Sequence, residues 1–309
     1  EEATEGEGEP EIEWGQDVFY KDWEGNPLKG PVSGYPAPEL GPEDYNNYEF
    51  APSRIILWVA NQQHLYFGSF VLAVPIFCML IEFIGIRVRE EDPVMAEKYD
   101  RLAKDLMKVS LTAYSWTAIR GGILLFTFIT LFPGFFKYMA GIFRPVMHVY
   151  ALMFLAESGV LYVYYYGWDK MKDDTFLKWI HCSLSVLLNL IGTVLMYLAN
   201  SWATFMQAPG GIDSEGRFLG NIWHVIHSTL WNPVGVHRIL GNIVFGGGIV
   251  GAYAAYHYLT AKNEEERAHY DWVCYVAMFI CIFGLIPLPF AGYWLMKEVY
   301  AFRQQMGIT

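Results

Sequence analysis

The feature that most constrains this sequence is a set of six separate apolar segments, each longer than the roughly 20 residues needed to cross a hydrocarbon core. They fall at about 54–86, 106–132, 144–168, 177–203, 236–260 and 271–300. Inside hydrocarbon every backbone N–H and C=O must be satisfied within its own segment, so each reads as a helix. The fold class is therefore all-α: a polytopic transmembrane helix bundle of about six spans. The fifth segment is the richest in glycine, and Pro287 and Pro289 interrupt the sixth. A chain that is 54% hydrophobic and only 17% charged is unusual for a soluble protein of this length. Its net charge of −11 belongs to the hydrophilic start and the gaps between spans, and no basic stripe suits a nucleic acid.

Three regions follow. Residues 1–50, opening EEATEGEGEPEIEW, are acidic and rich in Gly and Pro, and read as an irregular extramembrane extension laid over a partner. Residues 51–303 hold the six spans, and 304–309 form a short tail. The sequence shows no cleavable signal and no initiating Met, so a trimmed chain is expected. Cys78, Cys182, Cys274 and Cys281 all fall in expected helices without CxxC or CxxCH spacing, which makes them buried structural thiols. The loops 87–105, 169–178 and 261–270 carry ten basic residues, Lys178 among them, against Lys137 and Arg217 on the other side. The basic side should face the cytoplasm, which places both termini outside.

Ionisable groups inside spans are functional candidates by default. His64 and Glu82 share the first span, eighteen residues apart. That is about five turns, so both leave one face, separated by roughly 27 Å along the axis. His64, His148 and His237 sit at similar depth toward the outer side, where each either ligates iron as a neutral imidazole or packs against a backbone carbonyl. Gly241, Gly248 and Gly251 form a stripe below His237, with Arg238 beside it. The stripe can seat a flat macrocycle with the arginine on a propionate, or it can serve close helix packing. Glu157 stands near mid-membrane, about 900° around its helix from His148 and so on the opposite face. It reads as a proton-relay group, an iron-side counter-charge, or a protonated packing group. Glu82 is either a relay carboxylate or part of an interfacial salt cluster with Arg87 and Arg89. His224 and His227 lie in a Trp-flanked amphipathic stretch expected at the outer interface, while His181, His257 and His269 read as solvated.

Several of these stretches resemble one family, subunit I of cytochrome bd quinol oxidase. The first span with its His, Pro and Glu, then PVMHVYALMFLAESG followed by YYYGWDKM, LANSWATFMQAPGG and WNPVGVHRILGN, resemble that subunit in order over about residues 50–300. The resemblance implies that His64 is an axial haem ligand and that Glu157 serves that haem and its proton supply. Asn200 and Trp202 fall in the signature before the outer loop. It departs from the family in the Ala-Thr-Phe insertion after Trp202, in Gly241 standing where a haem histidine is usual, and in ending after six spans, as in a short form. The second carboxylate of the family's third helix falls nearest His148 or Val149.

The expected function is a haem-binding electron-transfer subunit of a bd-like respiratory complex in a bacterial or archaeal cytoplasmic membrane. His64, His148 and His237 are its candidates for haem iron, with Arg238, Gly241, Gly248 and Trp202 around the cofactor and Glu157 and Glu82 as proton relay. The cofactor is haem b, with haem d and quinone as further candidates. The partners are other membrane subunits including a second bd-like one, a cytochrome on the outer side, and lipid. The alternatives are a haem-poor scaffold or quinone-pocket anchor, and a proton-conducting subunit.

Overall fold

The computed structural model describes residues 48, 50–212 and 218–302. The acidic extension apart from Tyr48 and Phe50, the tail 304–309 and Arg217 lie outside the described residues. Among those described there are eight helices and no strand. They are α1 (Ser53–Val88), α2 (Pro93–Leu131), α3 (Pro133–Met171), α4 (Thr175–Gln207), the short α5 (Ile222–Ile226), α6 (Trp231–Thr260), α7 (Glu264–Leu285) and α8 (Leu288–Phe302). Six spans result: α1, α2, α3, α4, α6, and α7 with α8 taken together. The sixth breaks at Ile286 and Pro287, as the prolines require.

The spans stand where the apolar windows put them, but their ends do not. Helix α2 begins at Pro93 rather than near 106, and α3 begins at Pro133, so residues 133–143 are helix and not loop. Phe132 alone joins the two. Each has 39 residues, or about 58 Å of helix, against roughly 30 Å of hydrocarbon. Helix α1 is the axis of the bundle. It packs against α2, α4 and α6 at once. Val74, Phe77 and Ile81 of α1 meet Leu106 of α2, Tyr164 of α3 and Val250 of α6 in one cluster.

The caps at one end were written in the sequence. Asp92 accepts from the Met95 N–H at 2.9 Å with Pro93 behind it, Asp174 from Leu177 N–H at 2.8 Å, and Asn263 from Glu266 N–H at 2.8 Å. Each satisfies one of the orphan donors of a first turn. All three lie in the connections rich in Lys and Arg. Asp174→Ala should cost about 1 kcal/mol, read as a lowered unfolding midpoint in detergent, with no effect on any bound group.

Candidate functional site

Near the Ser53 end of the bundle, His64 of α1 turns toward α2. Its Nδ1 lies 3.3 Å from the Thr117 carbonyl oxygen. A carbonyl can only accept, so Nδ1 carries the proton and Nε2 keeps its lone pair. The ring sits on Gly121, where an added Cβ would come within 3.0 Å of it. His237, in the second turn of α6, faces Gly292 of α8, whose Cβ would stand 3.7 Å from Nε2. Beside it the Arg238 guanidinium donates to Asn200 Oδ1 of α4. Among the described residues Arg238 has no carboxylate partner, although it is close enough to His64 and Tyr150 to act on them electrostatically. The Asn200 side-chain N–H group is buried without an acceptor.

At mid-bundle, Glu157 of α3 is buried, 7% exposed, with Oε1 in the space left by Gly192 of α4. It borders a narrow cleft between α1, α2, α3, α4 and α6, lined also by Ser110, Tyr114, Asn189 and Asn242. The Tyr114 hydroxyl is bonded to Ser158 Oγ at 2.7 Å, while the Ser110 hydroxyl is buried without a partner. Pro75 of α1, lacking an N–H, leaves the Val71 carbonyl without its helical donor, and both residues line the same cleft.

Toward the Val88 end lies the densest polar cluster among the described residues, and sequence reasoning missed its members other than Glu82. Glu82 is fully buried, but not with Arg87 or Arg89. Its partners are the Tyr164 hydroxyl at 2.6 Å, His181 Nδ1 at 2.5 Å and Lys178 Nζ at 2.8 Å. Lys178 also pairs with Asp100 of α2, which accepts from Trp168 Nε1 at 2.9 Å. The expected solvation of His181 is thus wrong, since its ring is 0% exposed. Lys178 likewise belongs to the core and not to a loop. Both stand on α4 and turn inward because their helix starts at Thr175 and buries its first turns against α1 and α3. A signal was present: Lys178, His181, Ser185, Asn189, Thr193 and Asn200 fall at helical spacing, a stripe along a single helix face broken only by Met196.

The other candidates scatter. His148 lies on the exposed face of α3 beside Val149 and Leu152, away from Glu157 as its spacing requires. Trp202 packs among Phe128, Phe135 and Phe143. Gly241 and Gly248 face open space, whereas Gly251 meets Met278 of α7 and belongs to helix packing. His227 wedges between Trp223 and Trp231. His257 and His269 are half-buried rather than solvated, His257 stacked on Tyr270 at 4.6 Å. Among the described residues no three His, Cys, Asp or Glu side chains form a metal cluster.

The profile of the cytochrome bd terminal oxidase subunit I family matches residues 53–306. The chain belongs to that family. A bd oxidase from Geobacillus thermodenitrificans has the same fold, with a TM-score of 0.71 at 15% identity, over 81% of this chain and 56% of that one. The chain thus spans little more than half the length of that bd oxidase chain. No curated protein matches it. The six spans and the family make this an integral membrane protein, and the family is one of membrane oxidoreductases that work as multi-subunit complexes. Haem is implied by the bd family, and the chain's residues fit it at two points: an imidazole whose Nε2 has no partner among the described residues, and a half-buried arginine facing no acid among them.

Proposed function

We propose that this chain is the haem-carrying electron-transfer subunit of a bd-type complex, in a bacterial or archaeal cytoplasmic membrane with its N-terminus outside. The observation that carries the reading is His64. Its Nδ1–H is held by the Thr117 carbonyl and its ring by the Gly121 seat, which leaves Nε2 free to ligate iron. A guanidinium in a span without a carboxylate partner supports it, because Arg238 then balances a propionate. His237 would ligate a further haem, and Gly241 and Gly248 leave the flat surface that a macrocycle needs. His148 would ligate only a group held against the outside of α3, between this chain and a second bd-like subunit.

Haem b supplies a one-electron iron couple, and haem d, if it is the group bound, adds oxygen chemistry. The chain would hold one ring through His64 and another through His237, set Arg238 against a propionate, and keep a proton at Glu157. The complex passes electrons between a quinol, or a cytochrome docked on the outer side, and oxygen or another acceptor. A reduced-minus-oxidised spectrum with haemochrome quantitation on the purified complex tests this. The wild type should contain haem, and His64→Ala and His237→Ala should each lose one haem signal. Spectra unchanged by both substitutions, or a wild type without haem, would sink the reading and leave the scaffold or quinone-pocket anchor. A loss in His148→Ala would put a further haem at the subunit boundary.

A further inference from the structure

We infer that the Glu82–His181 pair is a proton-loading site that feeds Glu157 along the polar face of α4. His181 Nε2 lies 2.9 Å from the Tyr164 carbonyl oxygen, which can only accept, so Nε2 bears a proton. A neutral imidazole then has a bare Nδ1, yet Nδ1 meets Glu82 Oε1 at 2.5 Å. Two lone pairs cannot face each other there, so one further proton sits between them, as imidazolium–carboxylate or imidazole–carboxylic acid. Charge leads to the same place. Glu82, Asp100 and Lys178 alone leave one net negative charge in a site where Glu82 is 0% and Lys178 6% exposed. A proton on the pair makes the cluster neutral, which burial favours strongly. Every group that faces the pair is accounted for: Cys78 of α1, Asp100 of α2, Tyr164 and Trp168 of α3, Lys178 and Cys182 of α4.

The site has an entrance and an exit. The entrance is Asp100, 22% exposed and joined to the pair through Lys178. The exit is the stripe on α4. Ser185 and Asn189 stand one and two turns beyond His181, and Asn189 donates to the Ser185 carbonyl and to the Pro75 carbonyl. Asn189 also borders the cleft that holds Glu157, where the unpartnered Ser110 hydroxyl and the Val71 carbonyl offer positions for water. One proton leaves the pair toward Glu157 as one enters from solvent at Asp100, so the cluster returns to neutrality each time. That the entrance faces the cytoplasm rests on the orientation proposed above.

Proton uptake by the reconstituted complex, followed with a pH-indicating dye on the Asp100 side after rapid oxidation of the reduced complex, tests the route. Glu82→Gln and His181→Gln should slow uptake roughly tenfold or more with haem content unchanged. Asp100→Asn should slow it by less, and Lys104→Ala, in an exposed pair with Asp169, should leave it alone. Uptake at the wild-type rate in assembled Glu82→Gln and His181→Gln overturns the proposal. If neither assembles, Asp100→Asn decides by the same criterion. A pH-difference infrared spectrum of the wild type separates this from the haem reading, because it needs no haem. A deuterium-sensitive carboxylic or imidazolium band that vanishes in both buried variants supports the site even in a haem-free protein. Its absence from the wild type overturns the site even in a haem-loaded one.

Discussion

Glu82→Leu should be the most damaging single substitution in the bundle, lowering stability by about 3 to 5 kcal/mol. It removes the acceptor of the Tyr164 hydroxyl and the partner of both Lys178 and His181 at a position 1% exposed. The cost comes from what stays behind: a buried ammonium that has lost one of its two carboxylates and an imidazole facing nothing. The double variant Glu82→Leu/Lys178→Met should recover most of that loss and end within about 1 kcal/mol of the wild type, since a buried pair exchanged for apolar side chains is close to neutral. Asp100 then keeps the Trp168 donor and its access to solvent. Denaturation of the four proteins in detergent gives the cycle. Losses that simply add would mean that Glu82 and Lys178 are not coupled. A bundle that tolerates the double substitution but retains the charges holds them for a reason other than stability, in line with a proton site.

What the sequence revealed followed the rule behind each inference. Spans were legible because hydrocarbon demands long apolar windows, and the break in the last span because proline lacks a donor. Span ends were hidden because α2 and α3 run past the membrane. Residues 93–105 carry charges, yet bury Leu102 and Ala103 on one face, so a hydropathy window discards them while the helix continues. His64 was found because an ionisable group in a span stands out. Glu82 was found as well, but with the wrong partners, since Arg87 and Arg89 are its neighbours in sequence and Lys178 and His181 are its neighbours in space. Proximity to a helix start made His181 look solvated, and only its place in the three-and-four spacing of α4 could have said otherwise. The exposure of His148 was implied by its half-turn offset from Glu157, a carboxylate that hydrocarbon does not tolerate on a lipid-facing surface.

The glycines of α6 separate packing from cofactor binding, and the separation can be measured. A Cβ on Gly246 would stand 2.8 Å from the Ala73 carbonyl oxygen of α1, and one on Gly247 at 2.8 Å from Cys281 Cβ and 2.9 Å from the Ala277 carbonyl oxygen of α7. Backbone cannot step aside as a side-chain tip can, so α6 must move away from its neighbours. Gly246→Ala and Gly247→Ala should each cost about 1 to 3 kcal/mol, and Gly246→Leu should block assembly. A Cβ on Gly241 or Gly248 would meet nothing within 4 Å, and Gly248 is exposed, with room for a larger residue. Gly248→Leu should leave the fold unharmed, and by helix propensity alone should gain up to about 1 kcal/mol. Its effect should fall on haem content instead, because isobutyl groups would occupy the side-chain-free surface proposed for the macrocycle. A normal melting midpoint with a lowered haem-to-protein ratio is the expected result. Full haem in a stable Gly248→Leu protein would move the cofactor off this face of α6. The open glycines would then be left to lipid or to a second subunit, and any ligation by His237 would come from the side that faces Gly292.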